Sequence, residues 1–199
     1  IDKKGKGTYD TIQENVAGIL ANNMLSQRVK KIWGSAVITA GGDGFLPTIL
    51  EHKKLGFKNS QLRLVQIPKE SYLAIHSENL DTIYKWIDEL FKYLEAELSE
   101  GKIDTICMIL NENDYIGKIL RRLIIHKNYI YRCQAGRLHC SFTPEGDIYP
   151  CDSFIGMEQF KLGNIFTGEN NSFNNKSVLE RDNCKDCWAR FVCGGDCYF

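Results

Sequence analysis

The sequence predicts an α/β fold that gives way, towards its end, to a small cysteine-rich module. Three observations carry that expectation. Through residues 1–128, apolar residues at helical spacing alternate with short β-branched runs, an order that calls for parallel strands joined by crossover helices. Seven of the eight cysteines fall between Cys133 and Cys197, which leaves only Cys107 upstream. Between Cys140 and Cys151, the Pro144-Glu-Gly-Asp147 turn separates two stretches that read as a β-hairpin, with glycine available for positive φ. Two strands are too few to close a sheet, so residues 1–128 are expected to be a piece of a larger α/β structure.

Taken in order, Lys3 to Gly7 reads as a flexible loop, and Thr8 or Thr11 with Glu14 offers an N-cap. Ile12, Val16, Ile19 and Leu20 then recur at helical spacing, an amphipathic helix of about four turns, and Val29 to Trp33 comes next. Ser35 to Thr39 is a β-branched run ended by Gly41-Gly42, and is expected to be a buried strand. Phe45 to Leu55 has Pro47 in its first turn and Gly56 just past its end, which is favourable helix punctuation. Gln61 to Ile67 reads as a second strand, stopped by Pro68. From Ser77 to Leu98, the residues Leu80, Ile83, Ile87, Leu90, Leu94 and Leu98 line one helical face, a core stripe rather than a cofactor-binding one. A further helix is expected over Thr105 to His126. The helical pattern ends near Asn128 to Arg132, so the domain boundary is placed there, giving domains 1–128 and 129–199. Beyond the hairpin, Phe160 to Phe166 reads as extended, and the Asn-rich Glu169 to Asn175 as a loop.

Composition narrows the function classes. A chain of 199 residues with 43% hydrophobic and 25% charged residues is globular in composition, with room for one core or one and a half. Lys plus Arg and Asp plus Glu each total 25, so no broad phosphate-binding field is implied and no nucleic-acid partner is expected. No window is apolar enough to span a bilayer and no signal-peptide pattern opens the chain, so no membrane partner and a cytoplasmic location are expected. The charged, glycine-containing start at Ile1 reads as the middle of something longer, and the chain is expected to be a fragment.

Clustered cysteines admit three readings. A disulfide scaffold suits small secreted domains, but here a long cysteine-poor region precedes the cluster. C-x2-C-like knuckles suit zinc. Gathered thiolates also suit iron–sulfur clusters. Cys184 and Cys187 make one C-x2-C knuckle, and Gly194 and Gly195 between Cys193 and Cys197 suggest a chain folded tightly beside a bulky inorganic group.

Cys133 to Cys151 fits C-x12-G-x4-C, and Cys184 to Cys197 fits C-x2-C-x5-C-x3-C. With Pro-Glu-Gly-Asp-Ile-Tyr-Pro-Cys151, Phe160-Lys-Leu-Gly-Asn-Ile165 and Cys193-Gly-Gly-Asp-Cys-Tyr198, residues 133–199 resemble the SPASM domain. This is the auxiliary-cluster extension of radical S-adenosylmethionine peptide and protein maturases. Residues 1–128 are similar to the C-terminal portion of the partial TIM barrel in the same enzymes. Lys4 to Asp10 resembles the loop after the fourth strand, and Ser35–Thr39 and Leu62–Ile67 would be strands five and six. The family's C-x3-C-x2-C motif is absent from these residues, as is one cysteine expected after Cys197.

The resemblance implies two auxiliary 4Fe-4S clusters. Cys133, Cys140, Cys151 and Cys197 would hold the first. Cys184, Cys187 and Cys193 would hold the second, which lacks one ligand here. Some relatives have no cysteine at the position of Cys140 and leave an iron open to a substrate thiolate. Asp152, directly after Cys151, matches the aspartate proposed as the general base in anaerobic sulfatase maturases; capping a turn or pairing with an arginine is its plainer role. S-adenosylmethionine and its own 4Fe-4S cluster would belong to the absent N-terminal part, and the partners implied are a peptide or protein substrate and an electron donor such as flavodoxin or ferredoxin. The expected function is modification of a ribosomally made peptide, at cysteine, to a thioether crosslink. Two alternatives stand: sulfatase maturation to formylglycine, favoured by Cys151-Asp152, and a non-catalytic zinc- or cluster-stabilised peptide-binding module.

The remaining candidates are ordinary on their residue types. Cys107 is expected to be a buried core cysteine. Of His52, His76, His126 and His139, only His139 lies beside cluster ligands, where packing or a supporting hydrogen bond is the expected role. Gly41-Gly42-Asp43-Gly44 follows a strand and precedes a helix but lacks the full G-x-G-x-x-G pattern of a nucleotide loop.

Overall fold

The computed structural model describes residues 7–22, 32–67, 70–111, 113–195 and 197. Lys3 to Lys6, most of Val29 to Trp33 and the Pro68 strand stop lie outside these. The chain divides into two compact units, Ile1–Arg121 and Arg122–Phe199, each with its own mixture of helix and sheet. Among the described residues, no helix is long and apolar enough to cross a membrane.

In the N-terminal unit, α1 (Tyr9–Ala21) starts after Thr8, whose side chain does not cap it, and buries only Val16. The strand β1 (Trp33–Ile38) pairs in parallel with β2 (Asn59–Leu64), Ala36 opposite Leu62, and α2 (Phe45–Lys54) crosses between them. That is the parallel unit expected from the order of elements. Its strands sit differently from the sequence expectation. Val37 is 59% exposed, so β1 alternates between covered and open faces and is not buried throughout. The second strand starts at Asn59, two residues before Gln61, because its residues follow the register of β1. Pro47 lies in the first turn of α2, and Gly56 past its end takes φ +85°, where a side chain would also meet Leu20.

The long helix α3 (Leu80–Ser99) follows a 3-10 turn at Ser77–Asn79. Ile83, Leu90 and Leu94 are buried with Ile38, Phe45, Ile49, Leu62, Ile109 and Ile116 in one core, while Leu80 and Leu98 at the ends of the stripe are open to solvent. Each fully buried large apolar side chain contributes about 1.5–3 kcal/mol.

The single helix expected over Thr105 to His126 is two: α4 (Asp104–Ile109) and α5 (Tyr115–Ile124). Asn111 and Asp114 cause the break. Asn111 Oδ1 accepts from the Asn113 and Asp114 N–H groups, and its Nδ2 donates to Ser60 O at 3.0 Å. The Asp114 carboxylate, almost wholly buried, accepts from Gly117 N at 2.7 Å, capping α5. Its other oxygen accepts from Leu62 N, also at 2.7 Å, which ties the helix start to β2.

Three of the four antiparallel strands of the C-terminal unit are only two residues long. They are β3 (Ser141–Phe142), β4 (Asp147–Tyr149), β5 (Gly163–Asn164) and β6 (Glu169–Asn170), in that order across the sheet. The hairpin turn falls at Thr143–Asp147 as expected, with Gly146 at φ +86°. Two readings need correction. The stretch from Phe160 is extended only at β5 and is preceded by a 3-10 turn at Glu158–Phe160. The Asn-rich segment is not wholly loop, because Glu169–Asn170 pair with β5. Gly163 makes that pairing possible, since a Cβ there would fall 1.9 Å from Glu169 O. Phe154 and Val178 are fully buried, with Tyr149, Leu162 and Ala135 beside them in burial, and the Phe154 and Phe160 rings lie 4.2 Å apart.

Candidate metal centre

The hairpin gathers the segments that carry the first set of cysteines. Ser141 pairs with Tyr149 and Phe142 with Ile148, so Cys140 and Cys151 stand at the open end of the β3–β4 ladder. The chain before Cys140 folds onto that end. Gly136 N lies 3.0 Å from both His139 O and Pro150 O, and the Arg137 and Leu138 N–H groups donate to Gln134 O. Gly136 takes φ +64° with Phe173 against it, so a side chain there would collide. Asn175 Nδ2 donates to Ala135 O at 2.9 Å and Cys133 O at 3.3 Å. Backbone contacts therefore bring the segments of Cys133, Cys140 and Cys151 to one end of the small sheet.

Local turns position the second set. Cys184 N donates to Arg181 O at 2.9 Å and Cys187 N to Cys184 O at 3.0 Å, the tight turn expected of a C-x2-C knuckle. The Arg190 guanidinium donates to Lys185 O at 2.8 Å and Cys187 O at 3.4 Å, closing the knuckle from below. Arg190 opens the short helix α6 (Arg190–Cys193), whose last residue is the third cysteine. Past it, Gly194 takes φ +78° with its would-be Cβ 2.9 Å from Tyr131 O, and Gly195 takes φ +97°. Gly194 thus answers a close approach of backbone to backbone, and Gly195 a positive φ. Cys193 Sγ donates to Gly195 O at 3.4 Å.

Cys133, Cys140 and Cys193 are exposed, Cys151, Cys184, Cys187 and Cys197 are half-buried, and no disulfide joins the eight thiols. Among the described residues, no three His, Cys, Asp or Glu side chains converge tightly enough to hold a single metal ion. A lone zinc needs four ligands within about 2.3 Å of one point. A four-iron cluster places each thiolate on a different iron, so its sulfurs stand farther apart. The donor set, reduced thiols with partial access to solvent and no competing disulfide, fits iron–sulfur chemistry on residue type.

No protein-family model matches the chain, and no curated protein matches it. The centre is therefore read from its own residues.

Asp152 opens a 3-10 turn, Asp152–Phe154, directly after Cys151, and is exposed. It does not cap that turn, since the position before the turn is Cys151 and no side chain caps it. His139 is exposed, and its contribution is its backbone, which bridges to Ala135. Cys107 is exposed rather than buried. The helix α4 turns Thr105, Met108 and Ile109 inward, and Cys107 falls on the outer side. In the glycine-rich loop after β1, Gly44 takes φ +91° with the Trp86 ring against its α-carbon, so packing accounts for that glycine.

Sequence reasoning missed the arginines that hold the cysteine loops, Arg122 and Arg190. Their signal was faint, because an arginine among many charged residues is marked out only by what it meets in space. Beside the hairpin, Lys161 pairs with Asp147 at 2.9 Å, and Asn164 donates to the same oxygen at 2.7 Å. The lysine, then the asparagine, hold the Asp147 carboxyl below its ordinary range.

Proposed function

We propose that this chain is the substrate-positioning, electron-handling part of a radical S-adenosylmethionine enzyme that modifies a ribosomally made peptide or protein at cysteine, forming a thioether crosslink. The observation that carries this reading is the pair of reduced cysteine sets, one at the open end of a hairpin and one on a knuckle and short helix. The parallel β1–β2 pair with α2 between them supports reading the N-terminal unit as the fifth and sixth strands of a partial TIM barrel. The C-x3-C-x2-C motif is not among these residues, so the S-adenosylmethionine site and its 4Fe-4S cluster would be supplied by other residues of the enzyme.

Cys133, Cys140, Cys151 and Cys197 would hold one auxiliary 4Fe-4S cluster, and Cys184, Cys187 and Cys193 would hold three corners of another. Bound there, such clusters supply one-electron transfer, with flavodoxin or ferredoxin as the donor class. The chain's own residues supply the rest. The sheet and the Phe154 core fix the hairpin end against which a peptide would lie. Asp152, exposed beside Cys151, would take a proton from the substrate side chain onto a carboxylate oxygen. The same residue suits formylglycine formation on a sulfatase, the second reading.

Anaerobic reconstitution with iron and sulfide tests the centre. About four irons and four labile sulfides are expected for each thiolate set that assembles. Stoichiometric zinc without labile sulfide would overturn the cluster reading in favour of a zinc-stabilised peptide-binding module. In the whole enzyme, Asp152→Asn is expected to lower turnover by about 10²–10⁴-fold while leaving cluster content unchanged. A product carrying formylglycine instead of a thioether would decide for the second reading.

A further inference from the structure

We propose that Arg122 is a positioning residue that sets the place of Cys193, and so couples the third thiol of the second set to the C-x2-C knuckle. The helix that ends in Cys193 has four residues, too few to be stable alone, and its final carbonyls have no partners within the helix. Their partners come from far back in the chain. Arg122 Nη1 donates to Val192 O at 2.7 Å and Cys193 O at 2.9 Å. Tyr129 N donates to Phe191 O at 2.7 Å. Three consecutive carbonyls of α6, the last of them belonging to the cysteine itself, are thereby held by the segment from Arg122 to Tyr129.

The guanidinium is itself fixed. Arg122 is buried and lies over the Tyr129 ring, 3.8 Å from its centroid, so one face is occupied by an aromatic plane. Such a group has little freedom to leave its acceptors, and hydrogen bonds from a buried charge are among the stronger ones in proteins. At the other end of α6, Arg190 reaches the carbonyls of Lys185 and Cys187. Two guanidiniums in series therefore link the Arg122 segment to α6 and α6 to the knuckle. Arg190 keeps the knuckle on the helix; Arg122 decides where the helix sits. The positive charge at the helix C-terminus also favours a thiolate-bearing turn, whose net charge is negative.

This inference rests on the reading of the cysteines as metal ligands, and two independent measurements separate them. In the metal-free 199-residue chain, Arg122→Gln is expected to raise amide hydrogen exchange across residues 189–195 by at least about tenfold, since each charged hydrogen bond lost is worth that much. Exchange in the 141–149 hairpin should stay as it is. After reconstitution with iron and sulfide, the same variant is expected to lose the share of iron held by the second set, with the matching component of the reduced-state electron paramagnetic resonance spectrum. Arg122→Lys, which keeps the charge but not the planar face, should restore part of both. Wild-type exchange across 189–195 in Arg122→Gln would overturn the proposal, as would a wild-type spectrum and iron content. Should the Gln variant not fold, Tyr129→Leu takes its place: it keeps the donors and removes the stacking face. A smaller rise over the same residues is expected, and no rise overturns the proposal. A wild-type chain that takes up no iron and sulfide would instead sink the metal reading, with the exchange comparison still deciding the role of Arg122.

Discussion

The two units are held together by different means. The N-terminal unit buries Phe45, Ile49, Leu62, Leu90 and Ile109 almost completely, on elements up to twenty residues long. Among the described residues of the C-terminal unit, the longest strand has three residues, and the fully buried apolar side chains are Phe154, Val178 and Pro150. Its backbone instead turns through glycines at positive φ, and its loops hang on side-chain donors such as Asn175, Arg122 and Arg190. A core that small, in a unit of under about 80 residues, normally needs a metal or disulfides to stand. No disulfide joins its cysteines, so on the proposed reading bound metal would add stability to this unit.

The sharpest test of that contrast is metal removal. Chelation of the reconstituted protein is expected to loosen the C-terminal unit without unfolding it, and to leave the N-terminal core intact, because metal–thiolate binding in small domains contributes on the order of 10 kcal/mol. Hydrogen exchange resolved along the chain should quicken after residue 130 and keep unchanged protection over 83–94. Equal loss in both units would break the comparison.

Matched core truncations come next in size. Phe154→Ala and Phe45→Ala each remove a ring that is at most 1% exposed, and each should cost about 3–5 kcal/mol. The same loss has unequal consequences. With a smaller core to draw on, the C-terminal unit should fail to fold in the Phe154 variant without metal. The N-terminal unit should survive Phe45→Ala with a lowered urea midpoint.

Much of the fold was legible because it rests on local chemistry. Pro47 and Gly56 mark the ends of α2, Gly146 marks the hairpin, and the leucine stripe marks α3. What escaped notice depends on partners distant in sequence. Asn111 and Asp114 look like the polar face of one long helix until Ser60 O and Leu62 N, some fifty residues earlier, are found beside them. Cys107 lies outward because its phase on α4 is opposite the inward-facing Thr105, Met108 and Ile109. In the candidate centre, cysteine spacing pointed to the thiols directly. Arg122 had no such mark, because its acceptors are backbone carbonyls seventy residues away.

Asp114→Ala tests the break directly. It leaves the Leu62 and Gly117 N–H groups buried without acceptors, at about 1–3 kcal/mol each. Burial, opposed by those same hydrogen bonds, raises the Asp114 carboxyl above its ordinary value of 3.8. A carboxyl raised in the folded state binds more protons there than in the unfolded chain. Its contribution is thus present below 3.8 and declines as pH rises through the folded value. Relative to Asp114→Asn, the wild type should therefore lose stability over that rise, as urea midpoints at stepped pH would show.

The smallest expected effect belongs to His52, and it separates the units by pH alone. The ring packs on Gly34 of β1, where a Cβ would fall 2.6 Å away, and meets Phe57 edge-on. Its Nδ1 lies 2.8 Å from the fully buried Ser60 hydroxyl. Burial, only partly offset by the nearby Glu51 carboxylate, lowers the imidazole below its ordinary 6.5. The unfolded chain then binds a proton that the folded one resists, so stability is intact above 6.5 and falls as pH drops from there towards the depressed folded value. Protection in β1, β2 and α2 should weaken on mild acidification while the hairpin at 141–149 does not respond, and His52→Gln should flatten the N-terminal response. A pH dependence that survives the substitution would assign it to other groups of the same unit and leave the contrast standing on packing alone.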